Sequence, residues 1–417
     1  MTILMVNKFH YLRGGAERYV FDLTRLLERE GHRVIPFATH HRENVSSPYS
    51  ADFIPAPDFD SPAGPGAALR AAGRVIYSRS ARRALAQVLA RHQPDLVHLH
   101  NIAHHFSPSV LDELRRAGLP VVQTVHDFKL LCPTYLMLCH GEICERCAGG
   151  NVVHAILHRC NRGSVLRSAV SAAESFLAAT RDAYAPVRRF LCPSLFLLEK
   201  LRARGFAPER LVHLPLFVDP ARFGGVGESE AGLGEHAIFV GRLSAEKGLR
   251  TLLQAAAAAR EVPLVIAGDG PLAPELARIV RDQSLTHVTL AGRLSGEALV
   301  ERWRRARFTL VPSECYENFP LAAAESFALG KPVVGSRLGG VAELVGAEGE
   351  RGRLVPPRDP SALAQAMRAL WAVPEEAQAM GRSARAEVNR RYTPEVHWAG
   401  LRQAYAEAGA PIRAGLP

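Results

Sequence analysis

A chain of 417 residues with 47% hydrophobic content can bury the cores of two domains. Its net charge of +10 favours anionic partners: phosphorylated ligands, nucleic acid or an anionic membrane surface. Aromatic residues make up only 7%, and the arginines are spread along helices such as RRARF (304–308), which argues against a nucleic-acid-binding module.

The chain opens on MTILMVNKFH, a strand running into a loop, without the apolar stretch and cleavage site of a signal peptide. No apolar run approaches the ~20 residues needed to span a bilayer. A cytoplasmic location is the expectation. Gly14 and Gly15 let the first loop approach a ligand closely, and Glu17 and Arg18 open the helix behind it. RVIPFAT, DLVHLH, PVVQTVHD, RRFLCPS and RLVHLPLFV follow as strands separated by helical patterns, which predicts a parallel sheet covered on both faces. In such sheets ligands bind beyond the carboxyl ends of the strands, so His126-Asp127, closing one of them, is a candidate site. His98, His100, His104 and His105 surround another strand end and are less informative.

Five of the seven cysteines fall between 132 and 160. Cys132, Cys144, Cys147 and Cys160 give C-x11-C-x2-C-x12-C, a candidate set of structural zinc ligands, with Cys139, His140, His154 and His158 as substitutes. A disulfide pair and plain buried thiols stay open as readings of the same spacing. With metal bound, this insertion is expected to form a lid that shapes acceptor choice.

GGVGESEAGLGEH (224–236) is the most glycine-rich polar stretch and predicts a linker between two doubly wound halves. Beyond it come HAIFVGR, PLVIAGDG, HVTLAGR, RFTLVPS, PVVGS and GRLVPP as strands. Neither half has G-x-G-x-x-G after its first strand, and a Walker A sequence is absent too. VGRLSAEKG places Arg242 and Lys247 near a helix N-terminus, a combination suited to a diphosphate. In AGDGPL, Gly270 permits close backbone approach to a ligand. CYENFPLAAAESFALGKPVVGS (315–336) sets Glu317 in a loop, Pro320 at a first helical position and Glu325 a turn and a half into the helix. The last stretch, RRYTPEVHWAGLRQAYAEAG (390–409), carries Tyr392, Val396, Trp398, Leu401 and Tyr405 on a helical pattern.

In this order, GGAERYVFDLTRLLEREGHRV, HD, PSLFLLEKLRARGF, VGRLSAEKG, AGDGPL and ENFPLAAAE resemble glycosyltransferase family four over essentially the whole chain. The resemblance implies an α/β GT-B fold, two doubly wound Rossmann-like domains facing across a cleft. Residues 1–217 would form the acceptor domain, 218–390 the nucleotide-sugar domain, and 391–417 a helix crossing back to the first. The implied activity is hexosyl transfer from a nucleotide-diphosphate sugar to a glycan, lipid-linked or small-molecule acceptor, with retention of configuration and without a catalytic metal or other cofactor. Carried over by position, Arg242 and Lys247 would hold the diphosphate, with Gly15 and Gly270 lining the donor site. Glu317 would meet the sugar hydroxyls, Glu325 the ribose, and the backbone N–H groups of Asn318, Phe319 and Leu321 the sugar or phosphates. His126 would lie beside the transferred sugar and acceptor. One departure is Asn318, where the family usually has Gly. Asn tolerates left-handed backbone, and its side chain would narrow the choice of sugar. The same fold also admits an epimerase, a phosphorylase or a non-catalytic nucleotide-sugar-binding protein. Contact with an anionic membrane is compatible with the charge, although no dedicated amphipathic anchor stands out.

Overall fold

The computed structural model describes residues 1–56, 64–223 and 234–411; most of the predicted linker, 224–233, lies outside the described residues. The first half contains β1 (Thr2–Val6), β2 (Arg33–Phe37), β3 (Leu96–Leu99), β4 (Val121–Thr124), a small antiparallel hairpin β5 (Leu138–Cys139) and β6 (Glu142–Ile143), then β7 (Arg189–Cys192) and β8 (Leu211–His213). The second contains β9 (His236–Val240), β10 (Leu264–Ala267), β11 (Val288–Gly292), β12 (Ala306–Val311), β13 (Val333–Ser336) and β14 (Gly352–Val355). All twelve predicted strands form. RLVHLPLFV is extended for three residues only, because its continuation leaves the sheet for the C-terminal helix, with Val218 N–H donating to the Tyr392 carbonyl.

Each half is a six-stranded parallel sheet, ordered β2-β1-β3-β4-β7-β8 and β11-β10-β9-β12-β13-β14. Strands buried on both faces need apolar side chains in succession, and the period of two sorts them. Leu4 and Val6 enter one layer of the first core, Ile3 and Met5 the opposite one. Burial of such side chains is worth about 1.5–3 kcal/mol each. β9 repeats the division, with Ala237 and Phe239 on one side and Ile238 on the other.

The helix Pro394–Glu407 is capped by the Thr393 hydroxyl and packs Leu401 and Tyr405 among Ile3, Met5 and Leu23 of the first half. Tyr405 and His397 also bond across, to His98 and Tyr19. In each sheet the chain leaves in opposite directions from two adjacent central strands, β1 and β3 in one and β9 and β12 in the other. Crevices for ligands form at such switch points. The two crevices face each other.

Candidate active site

On the carboxyl side, β9 runs into Gly241-Arg242 and a short 3-10 turn, Ala245–Lys247, before the helix Leu249–Ala258. β12 runs into Pro312–Pro320 and the helix Leu321–Ala328. Pro320 is the cap of that helix, one position earlier than expected, with extended backbone that its fixed φ accommodates. The two loops meet at Glu317, whose Oε1 accepts from Lys247 Nζ and Ser313 Oγ, both at 2.6 Å. Burial opposes ionisation of Glu317, but the Lys247 ammonium and the Ser313 hydroxyl outweigh it and hold the carboxyl below its usual range. Lys247 is likewise penalised by burial and pushed up overall by Glu317. Arg242 is exposed. Its charge reaches Tyr135 of the other half.

Eight residues on, the Glu325 carboxylate accepts from Arg222 Nη1 at 3.2 Å, and Arg222 also lies 3.5 Å from Asp22. Burial raises the Glu325 carboxyl against the pull of Arg222 and Arg18. Arg222, from the turn Pro220–Phe223, carries no sequence signal for this role. Gly340 carries no such signal either: a Cβ there would stand 1.9 Å from the Asn318 carbonyl, and its N–H donates to the Glu317 carbonyl at 2.7 Å.

Two glycines make room for neighbouring parts of the chain. What Gly15 admits is Leu321, whose Cδ1 would be 3.2 Å from an added Cβ, so the N-termini of helices Gly15–Arg29 and Leu321–Ala328 converge. At Gly270 an added Cβ would sit 2.5 Å from the Leu243 carbonyl. This glycine lets two strand-end loops of one domain pack together. Asn318 is not in the left-handed region. Its side chain is buried between the halves, accepting from Ser194 Oγ at 2.7 Å and donating to the Val125 carbonyl at 2.6 Å. Two polar contacts to the opposite domain fix it there, at the seam between the halves. Phe319 packs edge-on to Tyr392 with centroids 5.6 Å apart.

On the amino side, β3 and β4 bring His98, His100 and His126 into a stack, with centroids 4.4 and 5.2 Å apart. The sulfur of Met5 can only accept, so the His100 Nε2 that faces it at 2.8 Å carries the proton. His100 Nδ1 then accepts from His126 Nε2 at 2.9 Å, which leaves His126 Nδ1 as an acceptor. Burial, helped by Lys8, takes His126 down to about 3. Burial, with His126 and His397 nearby, lowers His98 well below the ordinary value, and burial, with His98 and His126 nearby, does the same to His100. Lys8, the second residue after β1, is half-buried beside Asp127 and Glu17; burial lowers it and those carboxylates pull it back. Its position beyond the first strand was the available signal. One hydrogen bond, from Asn318 to Val125, links the residue after Glu317 to the residue before His126.

The cysteine-rich insertion bridges the same halves. Arg358 pairs with Glu142 and donates to the Gly141 carbonyl, and Tyr316 donates to Glu145 at 2.6 Å. Cys147 and Cys160 lie near enough to Cys132, Cys139 and Cys144 to be perturbed by them. Burial first, then Cys132 and Cys144, raise Cys147 to about 11; burial first, then a hydrogen bond with Cys139, raise Cys160 to about 12. The spacing pointed to zinc on Cys132, Cys144, Cys147 and Cys160. Among the described residues, however, no three His, Cys, Asp or Glu side chains are placed to hold a metal ion. The thiols take local partners instead, Cys132 with Thr134 and Cys160 with Cys139. They cluster without forming a cage.

Residues 13–222 match the profile of Glycosyltransferase Family 4, and residues 234–372 that of Glycosyl transferases group 1. The chain belongs to glycosyltransferase family 4. Within the family, it is 36% identical to a D-rhamnosyltransferase of Pseudomonas aeruginosa over 157 residues, 37% of this chain and 41% of that protein. It is 30% identical to O-antigen chain mannosyltransferase C of Escherichia coli over 159 residues, 38% of this chain and 43% of that protein. In both, the match spans less than half of the relative's length. Among solved structures, sucrose-phosphate synthase from Thermosynechococcus elongatus superposes with a TM-score of 0.72 at 21% identity, covering 99% of this chain and 100% of that one. Anabaena HepE in complex with UDP gives 0.66 at 17%, covering 97% and 100%. These likenesses show the GT-B fold of this family-4 chain. No helix among its described residues is long and apolar enough to cross a membrane.

Proposed function

We propose that this protein transfers a hexosyl group from a nucleotide-diphosphate sugar to a glycan or glycan-like acceptor with retention of configuration. The carrying observation is the paired crevice, in which Glu317 and His126 stand one residue either side of the Asn318–Val125 hydrogen bond. In this reading Arg242, Lys247 and the converging N-termini of Gly15–Arg29 and Leu321–Ala328 neutralise the diphosphate, work that a metal ion does elsewhere. Glu317 takes the sugar hydroxyls as a bidentate acceptor, and Glu325, held by Arg222, takes the ribose. His126 is too weak a base at about 3 to deprotonate the acceptor. Its Nδ1 accepts a hydroxyl hydrogen bond and orients the sugar. The relatives named for rhamnosyl and mannosyl transfer make bacterial surface glycans a natural class of product, and the complex of HepE with UDP makes a uridine nucleotide the first donor to try.

The test is release of nucleoside diphosphate from UDP-, GDP- and ADP-sugars, with and without oligosaccharide acceptors, followed by the anomeric configuration of the product. Acceptor-dependent release with a retained anomer is expected. Release without acceptor would indicate an epimerase, dependence on inorganic phosphate a phosphorylase, and binding without turnover a sensor.

A further inference from the structure

The helix Val165–Thr180 is built inside out. Its buried positions are Ser168, Ser171, Ala172, Glu174 and Ala178. Leu166 and Phe176 stand 70% and 60% exposed. At 100° per residue, Val165, Leu166, Ala169, Ala173, Phe176 and Thr180 fall on one stripe about 100° wide. None of the six is charged. The polar interior has partners within the chain: Glu174 takes Lys129 Nζ at 2.7 Å, and Ser171 takes Asn161 at 2.9 Å. Nothing among the described residues accounts for the apolar exterior. Two neighbouring helices, Pro65–Ile76 and Val153–Leu157, pack beside it and enlarge the patch with Leu69 and Leu157, exposed at 75% and 69%. Large apolar side chains exposed together on three helices that pack on one another mark an interaction site.

The charge around the patch decides what meets it. Segments 64–78 and 149–180, which build the face, carry Arg70, Arg74, Arg159, Arg162 and Arg167 and a single carboxylate, Glu174, which is buried and paired with Lys129. We propose that this face docks on an anionic lipid bilayer, with Leu69, Leu157, Leu166 and Phe176 entering the interfacial region and the arginines meeting headgroup phosphates. A second copy of the chain would set the same basic rim against itself, at a net charge of +10 per copy, so self-association is disfavoured. The anchor escapes inspection of the sequence because three helices share it. This docking is independent of the reaction proposed above.

The experiment is co-sedimentation of the full chain with vesicles of phosphatidylcholine alone and of phosphatidylcholine with phosphatidylglycerol, at about 0.1 M and about 1 M salt. Binding is expected on the anionic vesicles only, weakening at high salt. Leu166→Ser with Phe176→Ser should reduce it about tenfold or more. Arg70→Gln and Arg159→Gln should each reduce it roughly fivefold. Since all four positions are at the surface, unfolding midpoints should match the parent. Equal binding to both vesicle types, no binding to either, or binding indifferent to the Leu166/Phe176 variant would overturn the proposal. So would a concentration-dependent dimer that the same variant abolishes, which would assign the face to a second copy.

Discussion

The two crevices occupy equivalent points of two similar sheets, yet they are filled in opposite electrostatic styles. The carboxyl crevice is built of formal charges that neutralise one another, Lys247 with Glu317 and Arg222 with Glu325. The amino crevice instead centres on stacked imidazoles that burial keeps neutral, with the charges of Lys8, Asp127 and Glu17 at their side. A doubly wound sheet supplies a place for a ligand but not its chemistry, which the strand-end side chains decide. A charged, self-compensated crevice suits an anionic donor whose phosphates and hydroxyls can take over existing pairs. Neutral hydrogen-bonding rings suit an uncharged acceptor hydroxyl. The comparison predicts different responses to neutralising a side chain on each side.

The largest effect is expected at Glu317. Glu317→Gln keeps the shape but loses one charge-assisted acceptor, and it leaves Lys247 facing a neutral amide oxygen in place of the carboxylate now at 2.6 Å. The turnover number should fall on the order of 100- to 1,000-fold, as when one stabilising group of a reacting centre is removed. Nucleoside diphosphate affinity, measured by calorimetry, should change far less or even improve, because the freed ammonium can serve the phosphates. An equal loss of affinity and turnover would mean that Glu317 holds the nucleotide, and the division between the crevices would need redrawing.

Next come the other charges of the donor side. Lys247→Ala and Arg242→Ala should each weaken the diphosphate about tenfold or more while hardly changing the bare nucleoside, since a hydrogen bond to a charged group is worth about 1.5–3 kcal/mol. Glu325→Gln should weaken diphosphate and nucleoside alike, through the ribose. Calorimetry with both ligands separates these patterns. A nucleoside affinity that survives Glu325→Gln while the diphosphate affinity drops would move Glu325 from the ribose to the phosphates.

Much of this arrangement could be read before any coordinates. Strand-end loops are legible because parallel strands write themselves as continuous apolar runs. Contacts between halves were not legible. Asn318 looked like a tolerated turn residue until Ser194 and Val125, over a hundred positions away in sequence, turned out to be its partners. Arg222 belongs to no periodic element. Gly270 had the right composition for a ligand loop, but its missing Cβ makes room for a neighbouring carbonyl. Spacing cannot tell which of the clustered thiols meet, and Cys160 takes Cys139 as its partner.

A smaller effect should separate the crevices by pH. His126 is lowered to about 3, His397 to about 4, and His98 and His100 are lowered too, all by burial first. Their ordinary value is near 6.5, so below that pH the unfolded chain binds protons that the folded chain refuses. Stability should therefore be full above about pH 6.5 and decline as pH falls towards 3, by up to ~1.4 kcal/mol per pH unit for each such histidine. Denaturant titrations between pH 4 and 7 would measure the slope. A His397→Gln variant, outside the proposed reacting groups, should show a shallower slope even if it is less stable at neutral pH. A slope unchanged by that substitution would return the acid sensitivity to the carboxylates.

The smallest effect is expected where the insertion reaches over the cleft. Arg358 holds Glu142 from the opposite half, but Glu142 is 73% exposed and Arg358 35%, so solvent screens their attraction. Arg358 also has a second carboxylate, Glu314, at 3.1 Å within its own domain, which keeps it in place when Glu142 is lost. Glu142→Ala should accordingly cost no more than about 1 kcal/mol of stability. It should raise the acceptor KM by less than about fivefold, with nucleotide binding unchanged. Arg358→Ala should cost somewhat more, because it also removes the donor to the Gly141 carbonyl and leaves Glu314 with Thr251 alone. Steady-state kinetics at two salt concentrations would decide the matter. If Glu142→Ala abolished turnover at low and high salt alike, the hairpin would belong to the reacting crevices themselves, and a comparison of two halves would have to become one of three.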